Sequence, residues 1–178
     1  MSFLIRQTLI YAVPLMIVAL AGIFAERSGI INLALEGIMI FGAFIGVLFV
    51  RLVQQWGWFD AAMAAKDWPA LQGFMVLAMA VAALFGALFS LLLAFASINL
   101  KADQTIGGTA LNLLATAIAV VIAKYFSDSG SAKLNYTNKP FLFSIGGLEL
   151  SIFVPLGIIL LIISYVVLYK TRFGLRLR

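Results

Sequence analysis

The sequence predicts an all-α, polytopic integral membrane protein: a helical bundle of about five transmembrane helices forming a single domain over residues 1–178. Three observations carry that prediction. Hydrophobic residues make up 64% of the chain and charged residues 11%, and the mean hydropathy of +1.13 is far from that of a soluble domain. The apolar residues gather in runs near the roughly 20 residues that a helix needs to cross a bilayer, at 8–25, 30–50, 73–98, 105–126 and 151–169. The intervening segments hold interfacial Trp56, Trp58 and Trp68 and a Ser, Asn and Gly-rich stretch.

Taken in order, the first run follows Arg6 and so has the outline of a secretory signal. It is longer than a typical signal core, Ile23-Phe24-Ala25 lacks the small residue expected two before a cleavage point, and more apolar sequence follows at once. The run is therefore expected to remain as a membrane helix. It ends at a polar elbow of Glu26, Arg27 and Ser28. Asn32 and Glu36 follow one helical turn apart, which would put them on one face of the second helix. A lipid-facing carboxylate is costly, so both are expected to face the interior, with Arg27 a partner for Glu26 or Glu36. An interfacial turn is the other open reading, since Glu36 counted from Ile30 lies only about 9 Å along a helix. Further on, Gly42 and Gly46 form a GxxxG pair suited to close helix packing.

Arg51 to Gln72 reads as a solvent-side loop before the third run, whose charge-free stretch extends from Trp68 to Leu100. Ala78, Ala82, Gly86, Ser90 and Ala94 recur every four residues there and make a small-residue stripe for another helix of the chain. Asn99 to Gln104 is a short connection to the fourth run, in which Gly107 and Gly108 loosen the first turns. Thr105, Thr109 and Asn112 share one face of that helix and can bond either a polar solute or a neighbouring helix. Ser127 to Leu150 reads as a second loop, with turn chemistry at Ser127-Asp128-Ser129-Gly130-Ser131 and a hairpin-like turn or helix cap at Gly146-Gly147. Without histidine, the serines there have no base to activate them.

Charge sets orientation and excludes several functions. The last nine residues carry Lys170, Arg172, Arg176 and Arg178, which marks that end as cytoplasmic. Alternation over five crossings then places the elbow and the Lys101 connection inside, and the N-terminus, the Trp-rich loop and the Ser127 loop outside. The net charge of +5 is thinly spread elsewhere and offers no basic stripe for nucleic acid. Neither cysteine nor histidine is present, so no metal site and no cofactor is expected. A Walker-type phosphate loop is missing too, so any ATP hydrolysis would fall to a separate subunit.

Three segments carry a family resemblance: ERSGIINLALEG at 26–37, TIGGTALNLLA at 105–115 and YKTRFGLRLR at 169–178. Together they resemble the permease subunits of ABC importers for branched-chain amino acids, simple sugars and nucleosides, with the nearest likeness to the nucleoside and simple-sugar branch. The resemblance covers essentially the whole chain and about the N-terminal half of a family member. It implies a multi-pass protein of the bacterial cytoplasmic membrane whose partners are a cytoplasmic ABC ATPase subunit, a second permease subunit and an extracytoplasmic solute-binding protein. It further implies that 170–178, with Arg172, Phe173, Gly174 and Arg176, begins the segment coupling the permease to the ATPase. A chain ending there is expected to insert into membranes without transporting alone. The competing classes are half of a secondary carrier, which calls for a mid-helix ionisable residue and an inverted repeat, and a non-transporting scaffold or intramembrane enzyme.

Overall fold

The computed structural model describes residues 2–58, 60–65, 67–127, 130–136, 142–145, 148–151 and 153–176. Among them seven helices and one hairpin occur in the order α1 (Ser2–Arg27), α2 (Leu35–Gln55), α3 (Asp60–Ala64), α4 (Trp68–Ile98), α5 (Gln104–Phe126), β1 (Leu142–Ile145), β2 (Leu148–Ser151), α6 (Phe153–Lys170) and α7 (Arg172–Arg176). Five of the helices, α1, α2, α4, α5 and α6, are long and apolar enough to cross a membrane. The fold class is all-α and polytopic, with the antiparallel pairing of β1 and β2 as a small addition. The chain divides into two compact units, Met1–Asn32 with Leu142–Arg178, and Leu33–Phe141.

The second unit is built on close backbone approach between α2 and α4. A Cβ added at Gly42 would lie 3.3 Å from the Ala82 carbonyl oxygen, and one at Gly46 would lie 3.2 Å from Ala82 Cβ. Gly86 meets Ile38 and the Gly42 backbone. The small-residue stripe of α4 thus meets the GxxxG pair of α2 through Ala78, Ala82 and Gly86, and half-buried Ser90 turns its hydroxyl back to the Ala87 carbonyl. Lipid supplies no hydrophobic drive for helix association, so the dispersion gained by closely approaching backbones is a main attraction at this seam. Stacked rings lock the register on either side, Phe41 on Phe89 at 4.4 Å and Phe49 on Phe74 at 5.6 Å between centroids. Early α2 meets late α4 in this ladder, so the two helices are antiparallel. Leu33 and Ala34 lie against Gly108, and Gly37 against Asn112, so α2 and α5 run parallel. Two apolar clusters fill the unit, one around Val50, Val53, Leu71 and Ala78, the other around Ala34, Phe89, Leu93, Leu111 and Ala115.

In the first unit α1 and α6 pack with parallel axes: Gly157 lies against Val13 and Met16, and Tyr169 contacts Arg27. A chain crossing a membrane five times in alternation has its first and fifth crossings parallel, its second and third antiparallel, and its second and fourth parallel. The contacts within each unit follow that pattern.

Several boundaries differ from the sequence expectation, each for a local reason. The loop expected at 51–72 is mostly helical: α2 continues to Gln55, α3 occupies 60–64 and α4 begins at Trp68, with Pro69 in the first turn where its missing N–H costs nothing. Arg51 is therefore a buried residue of α2 at 6% exposure rather than a loop cation. Gly107 and Gly108 do not loosen α5, which is continuous from Gln104. Gly108 instead admits the backbone of Leu33 and Ala34, since a Cβ there would sit 3.1 Å from the Ala34 nitrogen. Part of the second loop forms the β1–β2 hairpin, whose Ile145↔Leu148 pairing leaves two residues between the strands. Those two, Gly146 and Gly147, lie outside the described residues, as do Asp128, Ser129 and Arg178.

Gly86→Leu should lower stability in detergent by about 1–3 kcal/mol, the usual cost of overpacking. Gly86→Ala should be nearly neutral, because the added Cβ meets its neighbours at 3.7 Å or more. Leu84 is 59% exposed, and Leu84→Ala should stay within about 0.5 kcal/mol. Thermal unfolding of the three variants checks the ranking, and equal melting temperatures for Gly86→Leu and Leu84→Ala contradict it.

Candidate functional site

The polar elbow is, first, a helix terminator. Gly29 has φ +78°, its N–H bonds to the Glu26 carbonyl at 3.0 Å, and the Ile30 N–H reaches back to the Ala25 carbonyl at 3.1 Å. That pair of bonds is a Schellman motif, closing the last turn of α1 with a glycine in the left-handed region. Ser28 adds a hydroxyl bond to the Ala25 carbonyl at 2.7 Å. A helix end leaves four carbonyls without intrahelical partners, a cost that hydrocarbon cannot relieve, and this terminator satisfies those of Ala25 and Glu26 locally.

Arg27 is half-buried and engaged with α6. Its Nη2 donates to the Tyr169 hydroxyl at 2.8 Å, and its Cζ lies 4.8 Å from the centre of the Tyr169 ring. Tyr169 in turn packs on Tyr165 at 5.2 Å between centroids. The expected pairing of Arg27 with Glu26 is therefore corrected: the guanidinium turns to an aromatic acceptor, and Glu26 is exposed. Arg27 Nη1 is buried without a hydrogen-bond partner among the described residues.

Asn32 and Glu36 do not share a helical face, because α2 begins only at Leu35. Asn32 is half-buried in the preceding segment. Glu36 sits in the first turn of α2 and is exposed, not interior, with respect to this chain. Its carboxylate complements the positive end of the helix dipole there, which accounts for its position without burial.

Asn112 supplies the second polar junction. The residue before α2, Ala34, has no side chain able to cap the helix. The Asn112 amide does so from α5: Oδ1 accepts from the Gly37 N–H at 2.8 Å, and Nδ2 donates to the Leu33 carbonyl at 2.9 Å. This clasp needs bare backbone at Gly37, where a Cβ would fall 2.7 Å from Asn112 Oδ1. Of the two readings open for Asn112, bonding to a neighbouring helix segment is the one its geometry satisfies.

Thr105 and Thr109 are exposed, and with Thr116 they continue the Asn112 face along α5. Thr109 Oγ1 donates back to the carbonyls of Thr105 and Ile106, and Thr116 Oγ1 to that of Asn112. Their protons are thus tied to the helix, while their oxygen lone pairs remain outward as acceptors. Asp103 opens α5 by accepting from the N–H groups of Ile106 and Thr105. These bonds to the charged form, Ile106 first, hold its pKa below the ordinary value of 3.8.

Beside this face, a groove of about 400 Å³ runs between α2 and α5, lined by Phe44, Val47, Val120 and Leu134 among others, with Thr116 the one hydroxyl. At the end of α6, Thr171 Oγ1 bonds to the Val167 carbonyl, and Gly174 is buried against the Leu168 carbonyl, where no Cβ would fit. This contact turns α7 sharply and leaves Arg172, Phe173 and Arg176 exposed. No cluster of three or more metal-ligating side chains occurs among the described residues.

Gly37, Gly157 and Tyr169 went unread in the sequence, and Gly108 was read as loosening its helix rather than admitting a neighbour. Gly37 and Gly108 lie within the family motifs, but only the contact across helices gives them these roles. Tyr169, one position before the C-terminal cations, has the interfacial position that could have marked it.

Five apolar helices of crossing length mark a multi-pass membrane protein. Residues 4–178 match the family of the branched-chain amino acid transport system permease component, and the chain belongs to that family. It is 40% identical over 192 residues to the guanosine ABC transporter permease NupQ of Bacillus subtilis, and 38% identical over 188 residues to the nucleoside ABC transporter permease NupC of Lactococcus lactis. Each alignment covers all of this chain and 55% of the relative, so the chain spans about half the length of these proteins. No solved structure matches the chain.

Asn112→Ala should destabilise the protein by about 1–2 kcal/mol, since it removes two interhelical bonds worth roughly 0.6 kcal/mol each on average and strands a backbone N–H. Thr116→Val, losing only a bond to its own helix, should stay within about 0.5 kcal/mol; unfolding in detergent compares them. Asp103→Ala should lower the melting temperature while Asp103→Asn largely retains it, because both Asp and Asn cap well. Asp103 has a depressed folded pKa, so its contribution is complete above the ordinary carboxylate value of 3.8 and is lost as pH falls through the lower folded value. The Asn variant should lack that acid-side loss.

Proposed function

We propose that this chain is part of the membrane-spanning permease of an ATP-driven ABC importer and that the imported solute is a nucleoside. The observation that carries this reading is the 38–40% identity, along the entire chain, to permeases named for nucleoside and guanosine transport. The protein is not an enzyme on this reading. ATP hydrolysis belongs to a separate cytoplasmic ABC subunit, solute capture to an extracytoplasmic binding protein, and the pathway is completed by a second permease subunit in the bacterial cytoplasmic membrane.

The chemistry of the exposed polar face fits such a solute. Thr105, Thr109 and Thr116 present acceptor lone pairs along α5, complementary to sugar hydroxyls and to base N–H groups. Glu36 adds the strongest acceptor, and its exposure from this chain suits a position along a hydrated path. Asn112, with both amide ends engaged, positions the start of α2 rather than meeting solute. The excess of lysine and arginine at the C-terminal end supports a cytoplasmic side for α7. α7 then begins the coupling segment, through exposed Arg172, Phe173 and Arg176 and the tight turn at Gly174.

The test is uptake by the complete permease reconstituted with its ATPase and binding protein, using labelled guanosine, uridine, ribose, glucose and leucine. ATP-dependent accumulation of nucleosides is expected. Accumulation of ribose, glucose or leucine alone overturns the solute assignment. Glu36→Gln should reduce uptake more than Glu149→Gln on β2, and the reverse ranking moves the path away from Glu36.

A further inference from the structure

The geometry points to a releasable clasp: Arg27 and Tyr169 tie the terminator of α1 to the corner between α6 and α7, and so set the position of α7. The inference rests on the proposed function only in what α7 would contact; the clasp itself is a property of the first unit.

Three observations carry it. α1 and α6 run parallel, so their C-terminal ends, each the negative end of a helix dipole, lie side by side. Two like dipole ends placed together repel, and each ends on a cation, Arg27 on α1 and Lys170 on α6, of which Arg27 reaches across to the other helix. Arg27 is the last residue of α1, and it contacts Tyr169, one residue before the end of α6, through both the hydroxyl and the ring. Beyond Tyr169 the chain has no slack. Thr171 bonds back to Val167, the Gly174 N–H points to the Thr171 hydroxyl, and Gly174 is pressed on the Leu168 carbonyl. Tyr169 lies in the chain between Leu168 and Thr171, the residues that hold Gly174, so a displacement of this corner is passed to α7.

The clasp is also incomplete, which makes it a switch rather than a rivet. Nη2 is bonded to a neutral phenol, and Nη1 is buried with no partner among the described residues. A guanidinium held against a carboxylate would resist release more strongly than one held by a phenol and a ring face. At the other end Arg27 adjoins the Schellman turn at Gly29, so the same side chain reports movement of the elbow to α7. Arg27 and Tyr169 are positioning residues that act on the coupling segment through the corner.

The chain contains no cysteine, so Leu175→Cys, at an exposed site of α7, gives a unique spin-label position within residues 1–178. Label mobility is read in the complete permease, with any cysteine elsewhere replaced, for the parent and for Arg27→Met, Tyr169→Leu and Tyr169→Phe. Solute imported per ATP hydrolysed is measured in parallel without the label. Arg27→Met and Tyr169→Leu should raise label mobility and lower the transport-to-ATPase ratio at least fivefold, with ATP hydrolysis within twofold of the parent. Tyr169→Phe keeps the ring and loses the hydroxyl, and should fall between; it carries the test if the larger changes prevent assembly. Unchanged mobility overturns the clasp. Raised mobility with uptake and hydrolysis falling together overturns its positioning role, because a merely structural contact would move both. A parent without ATP-dependent uptake of any solute overturns the proposed function instead, and the label still decides the clasp.

Discussion

α2 begins just after an alanine, Ala34, whose side chain cannot cap it, and the α2–α5 part of the second unit follows from that. A helix start leaves four N–H groups without intrahelical partners, and in a membrane water is not at hand to satisfy them. The Asn112 amide closes one of them at Gly37 and holds the Leu33 carbonyl as well. Once that bond exists, α5 must pass close to the start of α2, and close passage demands glycine at both Gly37 and Gly108. The parallel placement of α2 and α5, and the cluster around Ala34, Leu111 and Ala115, build outward from the same contact.

The other half of that unit obeys a different rule. Along the seam between α2 and α4 the glycine and alanine stripes let the backbones approach closely enough for dispersion to bind them. Each atom pair contributes only about 0.1–0.2 kcal/mol, so the attraction accumulates only where contact is continuous. Gly42, Gly46, Ala78, Ala82 and Gly86 provide that continuity, and the stacked Phe41–Phe89 and Phe49–Phe74 pairs stop the helices from sliding. One polar clasp fixes where the bundle starts, and one apolar seam fixes its register.

How much of this was legible depends on whether a residue's partner lies along the chain or across it. The crossing helices and the small-residue stripe are local patterns, readable as apolar length and four-residue spacing. So is the end of α1, though the charges of Glu26 and Arg27 drew attention from Gly29, whose left-handed backbone makes the turn. Spacing misled at Asn32 and Glu36, where four residues imply one face only if the helix is continuous, and α2 starts between them. Charge misled at Arg51, read as a loop residue but buried within α2, since a long side chain can be accommodated where neighbouring helices cover it. Asn112 was legible as a group able to bond a neighbouring helix, but the partners of Asn112, Tyr169 and Gly108 were not, as each lies more than seventy positions away.

The exposed polar groups can be sorted by what each tolerates at its surface. A threonine whose proton is bonded to its own helix, as at Thr109 and Thr116, hides the group that would suffer most in hydrocarbon, so its exposure alone assigns no environment. Glu36 differs. A carboxylate facing the bilayer centre costs about 2.5–3.5 kcal/mol on insertion scales, and an alignment with the helix dipole returns only about 0.3–1 kcal/mol. The remainder falls only if the carboxylate meets water, a hydrated path, or polar groups outside residues 1–178. Glu36 is joined through the next residue to the Asn112 clasp, so whichever environment it meets is set against the best-fixed point of the second unit. The backbone beside Glu36 is fixed by that clasp, and on the proposed function this is the physical ground for taking the start of α2, rather than the threonine face alone, as the centre of the candidate path.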